Sequence, residues 1–594
     1  MSNKRVSRLH FFREANTDHR QNGGRSLMRL LLPALLLPLA LTGCSVPKGL
    51  LPWDVNPATS VQQEAYSSDT LSDNHSLYED KSRTGITDIY ITIMHQNLDR
   101  NHPLSWEQLS EVSQPDDENN RSLDAIFQEG NAQGPVHGMF GYSDYQSNSS
   151  ISLRGSDSLR SAQKSYKIKL NGQAGAWRDQ STINLIKSVN DLTRFRNRLS
   201  FDYMTRLPDM VSMQTSFVRL HVKDLTQEKD FSTDFVDYGL YTQIEQPNKK
   251  FLRTHGLDSS GGLYKAKNFK FDRHAEALKL EDDPSFDKDQ FQDILQVKGS
   301  KDHQKLLQML DDMNASSPDQ FDSVFDRYFD QNNFLSWMAV NILMDNDSTS
   351  SENYLLYSPT ESRKWFFIPW DYDSAWGKGQ LSGTAINQRA PWQHGIASYW
   401  DNQLVRRYFQ NPDHVRLLTA KIDEFRKIIT PAQTAQMIAG YRQIADPAVL
   451  QSSDPGYLPG SISDREQELK QLPAWSESSN TLYRESLERP MPFRLLEPQV
   501  QQDQLTFNWE PSYDLQGEAL SYHILVSRTP DMTAPLLDQQ VGSETTASME
   551  NLSSGQYFWT VTVENTSGHT MTPYDQYTDI DNIAHFGVKS LYIP

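Results

Sequence analysis

In GITDIYITIM, Ile89, Ile91 and Ile93 alternate with other residues, a period of two that predicts a strand. Four more short runs, SISLRG, SYKIKL, SFVRLHV and YGLYTQIEQ, predict further strands of one sheet. Between them, over 190–207, Leu192, Phe195, Leu199, Tyr203 and Leu207 recur at spacings of three and four. That period predicts a helix packed on the sheet. Residues 96–120 are polar and read as a long loop. From about 273 the pattern becomes helical and acidic. It leads to FLSWMAVNILM (334–344), where Phe334, Trp337, Met338 and Asn341 share a helical face. Residues 399–450 read as helical again, and Thr430, Pro431 and Gln433 mark a helix start there as N-cap, first-turn proline and capping-box partner.

The last part of the chain returns to period two. LTFNWEP, SYHILVS and GQYFWTVTVEN are short alternating runs separated by turn residues, which predicts a β-sandwich with Trp509, Tyr522, Tyr557 and Trp559 in its core. The expected fold class is α+β: a β-rich part, a mainly α part and a C-terminal β-sandwich. Residues 45–84 are rich in Ser, Asp, Asn and Pro without periodicity and read as a linker. The boundaries expected are 1–43, 44–84, 85–480, 488–570 and a tail over 571–594.

Composition narrows the partners. The formal net charge is −19, from 57 Lys and Arg against 76 Asp and Glu. Nucleic-acid binding needs a positive surface, so no nucleic-acid partner is expected. The chain has one cysteine, which excludes an intramolecular disulfide. That residue, Cys44, ends LTGC after Arg20, Arg25, Arg29 and the apolar run LLLPALLLPLA. A charged segment, a short apolar run and small residues before the cut make a secretory signal. LTGC resembles the bacterial lipobox, which implies lipidation of Cys44 and anchoring of an otherwise soluble chain to a membrane. The expected location is the bacterial cell envelope, outside the cytoplasm.

Three stretches carry candidate chemistry. In SLRGSDSLRSAQKSYKIKL (152–170), Arg154, Gly155 and Ser156 turn out of a strand, and Lys164, Lys167 and Lys169 follow. A glycine turn, an arginine and a strand lysine suit a phosphate tail, although a solvated edge hairpin has the same appearance. MDNDSTSSENYLLY (344–357) clusters acids and amides after an apolar helix. It is not a calcium loop, because its sixth position is Ser350 and its twelfth is Leu356. FFIPWDYDSAWG (366–377) sets Asp371 and Asp373 one residue apart, a pair able to share a divalent cation with a phosphate. The order of these parts, a phosphate turn and lysine, then an Asp…Asn loop, then a second Asp site, is the order phosphoryl transfer uses.

Taken with DLTRFRNRLSFDYM, YGLYTQIEQPNKKFL, GGLYKAK and LVRRYFQNPDHV, these stretches make the chain resemble the CotH kinase family over roughly 85–475. The resemblance implies a divergent, two-lobed kinase-like fold that binds ATP and Mg²⁺ between a β-rich and a mainly α lobe. By the family pattern, Asp347 corresponds to the catalytic acid, and Asn353, Asp371 and Asp373 to metal ligands. Arg154 and Ser156 match the phosphate turn around Gly155, and Lys167 is the chosen phosphate lysine, with Lys164 and Lys169 as rivals. Glu245 matches an acid placed near the hinge between the lobes. The segment 488–570 looks like a fibronectin type III module. The implied activity is transfer of the ATP γ-phosphate to a Ser/Thr hydroxyl of a protein, which could be the chain itself. ATP is scarce outside the cytoplasm, so a non-catalytic surface protein for adhesion or assembly is the alternative. A metal-dependent glycosyltransferase using the DYD pair is a third reading, and it needs a doubly wound nucleotide domain that the segment order does not offer.

Overall fold

The computed structural model describes residues 69–593, apart from 80–83, 115–120, 228–233, 379–388, 452, 502 and the side chains of Ser156 and Asp157. Cys44 and the segment before it lie outside the described residues. What is described is a mixed α/β unit. No helix among the described residues is long and apolar enough to cross a membrane.

The alternating runs form an eight-stranded sheet from β1 (Ile86–Ile93), β2 (Leu123–Asn131), β3 (Gly134–Pro135), β4 (Ser149–Arg154), β5 (Ser165–Leu170), β6 (Thr182–Ile186), β7 (Thr215–Asp224) and β8 (Val236–Ile244). The order is β1-β7-β8-β6-β5-β4-β2-β3, and β1 also pairs with β2, so the seven longer strands close into a ring. Period two puts every second residue inside. Ile151, Ile168 and Ile183 lie side by side across β4, β5 and β6 and are fully buried. Each such side chain contributes about 1.5–3 kcal/mol.

Two readings of local structure change. The expected helix over 190–207 is a helix only over Arg196–Met204. Asp191 intercepts the preceding turn by accepting from the Thr193 and Arg196 amides at 2.9 and 3.0 Å, and Arg194 is left-handed (φ 66°). The apolar spacing still marked burial correctly, since Phe195, Leu199, Tyr203 and Leu207 are all in the core. The expected loop over 96–120 contains the helix Trp106–Glu111, started by a capping box between Ser105 and Gln108. Its Trp106 is buried and stacks on Tyr166 at 5.3 Å.

The helix Gln331–Met344 is buried from Asn333 onward on all sides, so its apolar pattern reports a central helix rather than one face. The helical stretch after 399 is broken into Gln403–Phe409, Pro412–Phe425 and Pro431–Gln451. Asn402 and Asn411 cap the first two, and the Thr430 hydroxyl accepts from the Gln433 amide at 3.2 Å. A second, four-stranded antiparallel sheet lies among these helices. It comprises β9 (Gly262–Ala266), β10 (Leu295–Val297), β11 (Tyr354–Ser358) and β12 (Phe366–Pro369), in the order β10-β9-β11-β12.

At the C-terminus two further sheets share one apolar cluster that includes Trp509, Tyr522, Tyr557 and Trp559. The tail contributes to it, because Val588–Ile593 pairs with Gly555–Asn565. These sheets pack on the helical part: Tyr513 stacks on Trp400 at 5.6 Å, and the Tyr574 hydroxyl donates to the Ala397 carbonyl at 3.0 Å.

Part of the segment read as linker is docked. His255 sits between Asp73 (2.7 Å) and Glu245 (3.0 Å), and all three side chains are buried. Burial alone would lower the His255 pKa, but its hydrogen bonds to Asp73 and Glu245 outweigh that and raise it to about 9. A raised folded-state pKa gives stability that is complete below the ordinary value of 6.5 and is lost as pH rises through about 9. Across that window the His255 contribution falls by about 3 kcal/mol, while Lys187 and Lys298, both lowered to about 8, regain stability above pH 8, so the measure is the difference between the urea profiles of the parent and His255→Gln. A difference between parent and variant that stays flat there would remove the assignment.

Candidate functional site

A cavity of about 600 Å³ opens between the eight-stranded and the four-stranded sheets. The first sheet lines it with Arg154 and Gly155 at the end of β4, Lys167 on β5 and Ile186 at the end of β6. The second lines it with Lys265 on β9, Lys298 after β10, Asn353 before β11, and Trp370, Asp371 and Asp373 after β12. Arg154, Gly155, Lys167, Asn353, Asp371 and Asp373 are thus brought together. Ser156 follows Gly155 directly, but its side chain is outside the described residues.

The local folding is explicit. Gly155 has φ +79°, a left-handed turn that glycine takes without strain. Tyr354 pairs with Pro369 across β11 and β12, so Asn353 and the Trp370–Asp371 step leave the sheet at the same end. Asn353 (φ 60°) and Asp371 (φ 62°) are also left-handed, which Asn and Asp tolerate better than other side chains. Between the two acids, Tyr372 points the other way. Its hydroxyl donates to Asn341 at 2.7 Å, and its amide donates to Asn197 at 2.9 Å. The buried tyrosine is why the D-x-D spacing leaves both carboxylates on the cavity.

The charges are arranged for an anion and a cation together. Burial, then repulsion from Asp371, pushes Asp373 up to about 7, with Lys378 opposing. Burial lowers Arg154 to about 10, with Asp371 opposing. Lys298 falls to about 8 through burial and then through Lys265, Lys167 and Arg154. Burial also lowers Lys167 and Lys265. The Trp370 ring lies 5.7 Å from the Arg154 guanidinium and 5.6 Å from the Lys265 ammonium. The Arg154 Nη1 is buried with no hydrogen-bond partner among the described residues. A divalent ion fits the donor set, because Mg²⁺ takes one or two carboxylates and fills its other positions with phosphate oxygens and water. Among the described residues there is no group of three or more His, Cys, Asp or Glu able to hold a metal unaided.

Asp347 and Glu245 lie elsewhere. Asp347 opens on a separate cleft of about 230 Å³ shared with Trp392, Asp401 and, from loops of the C-terminal part, Arg494 and Tyr574. Burial raises its pKa, with Arg389 opposing at 3.9 Å. One residue joins the two places: Asn346 donates from its side chain to the Asp371 carbonyl at 3.2 Å. The neighbouring Asp345 is occupied by Arg389 (2.7 Å) and the Trp475 indole (3.2 Å). Glu245 does not line the cavity, although Ile244 and Gln246 on either side of it do. Strand alternation turns its carboxylate to Gln214 (2.7 and 2.8 Å) and His255. Of the rival lysines, Lys164 donates to the Val112 and Leu159 carbonyls and Lys169 is exposed. Sequence reasoning missed Lys265, Lys298 and Asn197. Alternation in GGLYKAK could have put Lys265 on an open face.

A family model described as CotH kinase protein matches residues 151–482. Inner spore coat protein H of Bacillus subtilis (strain 168) is 26% identical over 231 residues, 38% of this chain and 59% of that protein. The chain therefore spans about three fifths of that relative. Two solved structures share less. The twitchin kinase region from C. elegans has 17% identity over 16% of this chain and 20% of the other, with a TM-score of 0.13. The HipA–HipB–operator DNA complex of the Shewanella oneidensis MR-1 toxin–antitoxin system has 13% identity over 51% and 60%, with a TM-score of 0.22.

Proposed function

The chain belongs to the CotH kinase family, whose model matches more than half of it, and from that premise we propose that it is a Mg²⁺-dependent phosphotransferase acting on a Ser/Thr hydroxyl of a protein. The observation that carries the reading is the single cavity in which Arg154 and Lys167 from one sheet face Asn353, Asp371 and Asp373 from the other. In this reading the two sheets with their helices are the lobes of a divergent kinase-like domain. The C-terminal sheets are a fibronectin type III-like sandwich, and lipid on Cys44 holds the protein at the outer side of a bacterial membrane.

ATP is the substrate. Its base lies against Leu153, Ile186, Ile244 and Leu355, the apolar part of the cavity wall, and its phosphates lie against the cations. Asp371, Asp373 and Asn353 would hold Mg²⁺, which would offset charge on the phosphates. Asp347 is the acid assigned to the acceptor proton, and because it opens on its own cleft rather than on the cavity, the assignment requires an acceptor hydroxyl that reaches from that cleft to the γ-phosphate. The acceptor oxygen bonds to the γ-phosphorus as the bond to the β–γ bridging oxygen breaks, and ADP leaves. The acceptor then enters between the helical part and the C-terminal sheets, past Arg494 and Tyr574.

A second reading is nucleotide binding without transfer. Its support is that Asp347 does not line the cavity. A thermal-shift titration with ATP, with and without Mg²⁺, tests what both readings share. At 100 times its dissociation constant a ligand adds about 2.7 kcal/mol of stability. A Mg²⁺-dependent rise with ATP is expected. No response, or a response to sugar nucleotides alone, would overturn the reading.

A further inference from the structure

Seven lysines and arginines line the cavity against three acids, Glu352, Asp371 and Asp373, and among the seven, Arg154, Lys167, Lys265 and Lys298 form no salt bridge with a described residue. Two of them, Lys265 and Lys298, belong to the four-stranded sheet, on the same side as Asp371 and Asp373. Antiparallel pairing fixes their places: β10 is registered on β9 with Gln296 beside Lys265, and the Lys298 amide donates to the Leu263 carbonyl at 2.8 Å. Asp371 offsets Arg154 and Lys265 in part, but Lys298 meets only like charge, from Lys265, Lys167 and Arg154, which an anion between them would relieve. The buried, unpartnered Arg154 Nη1 points to the same conclusion, because such a donor costs free energy until something accepts from it. Lys267 is different. It is half exposed and its ammonium is paired with Asp293 at 3.1 Å.

We infer that Lys265 and Lys298 are phosphate-binding residues that form the second jaw of a clamp, opposite Arg154 and Lys167, for a chain of two or more linked phosphates. The inference rests on the nucleotide reading of the cavity but adds residues from the other sheet. A phosphate chain held this way bridges the two sheets, so its binding energy comes from both. A single phosphate offers fewer oxygens and less charge to share among the four cations.

The test is calorimetric binding of three probes to the full chain: sodium tripolyphosphate, inorganic phosphate and ATP with Mg²⁺. Tripolyphosphate is expected to bind more tightly than phosphate. Lys265→Ala and Lys298→Ala should each weaken tripolyphosphate roughly ten- to a hundredfold, the range for losing one charge-assisted contact. Lys298→Arg should retain most of the affinity, and Lys288→Ala, at an exposed helix position that does not line the cavity, should leave it unchanged. Circular dichroism melts check that each variant is folded. Equal tripolyphosphate affinity in parent, Lys265→Ala and Lys298→Ala overturns the clamp, as does a parent that binds no tripolyphosphate. If tripolyphosphate binds as described while ATP with Mg²⁺ gains nothing from its base, the clamp stands and the nucleotide reading falls.

Discussion

Asp371→Asn is expected to remove most of the Mg²⁺-dependent nucleotide affinity while leaving the protein folded. Neutralising one member of a desolvated charge pair typically costs on the order of a hundredfold in binding. Here burial and then Asp371 disfavour charge on the remaining carboxylate, Asp373, which a bound cation would offset. Losing Asp371 leaves a single carboxylate that ionises more readily but offers one anionic ligand where two stood. The backbone does not object, because asparagine accepts the left-handed conformation at this position as aspartate does. Asp347→Asn should behave differently: nucleotide binding close to the parent, and transfer lowered about 10²–10⁴-fold, the usual cost of losing a general base. Affinity and autophosphorylation measured side by side on the two variants separate these roles. A variant lacking Asp371 that binds ATP with Mg²⁺ like the parent would exclude the metal assignment.

The sequence made the strands legible because a closed ring sends alternate side chains to its apolar interior, and Ile89, Ile91 and Ile93 take those places on β1, whose other face is buried as well but by polar residues and Tyr90. It blurred the helix over 190–207 because spacing reports which side is buried and is blind to a side chain such as Asp191 that captures the backbone first. Among the site residues, those on one hairpin were legible. Asn353 and Asp371 flank a short paired stretch, so their meeting follows from local register. Lys167, Lys164 and Lys169 could not be ranked from spacing alone. Their separation depends on Lys164 reaching the Val112 carbonyl, a contact across 52 residues. Lys298 had no local signal, since only the pairing of β10 with β9 brings it to the cavity. Glu245 shows the opposite failure: its neighbours reach the cavity, and a one-residue step on a strand turns its own side chain away.

Asp454→Ala is expected to destabilise the protein by about 3–5 kcal/mol, the cost of leaving a buried charge without its partner. Asp454 pairs with Lys187 at 2.6 Å, and neither side chain is exposed to solvent. Its carboxylate also accepts from the Leu240 amide at 2.7 Å and the Gln163 side chain at 3.0 Å. Gly239 is what permits this approach, since a Cβ there would meet the Asp454 Oδ2 at 2.3 Å. Even with its partner, Lys187 is lowered to about 8, burial outweighing the attraction of Asp454. A lysine with a depressed folded-state pKa penalises the folded state while it is charged, and the penalty fades as pH rises toward its unfolded value of 10.5. Removing Asp454 deepens that penalty, so the deficit of Asp454→Ala should be largest at neutral pH and shrink under alkaline conditions. Pairing Asp454→Leu with Lys187→Met should recover most of the loss, because an apolar pair of similar volume often replaces a buried ion pair without cost. Urea midpoints for the single and double variants measure this, and a single variant as stable as the parent would show that the pair contributes nothing. Lys187 follows β6 and lines the cavity. The same ion pair therefore ties the segment around Asp454 to the strand ends that line the proposed nucleotide cavity, and a folded Asp454→Ala protein should also bind ATP more weakly than the double variant.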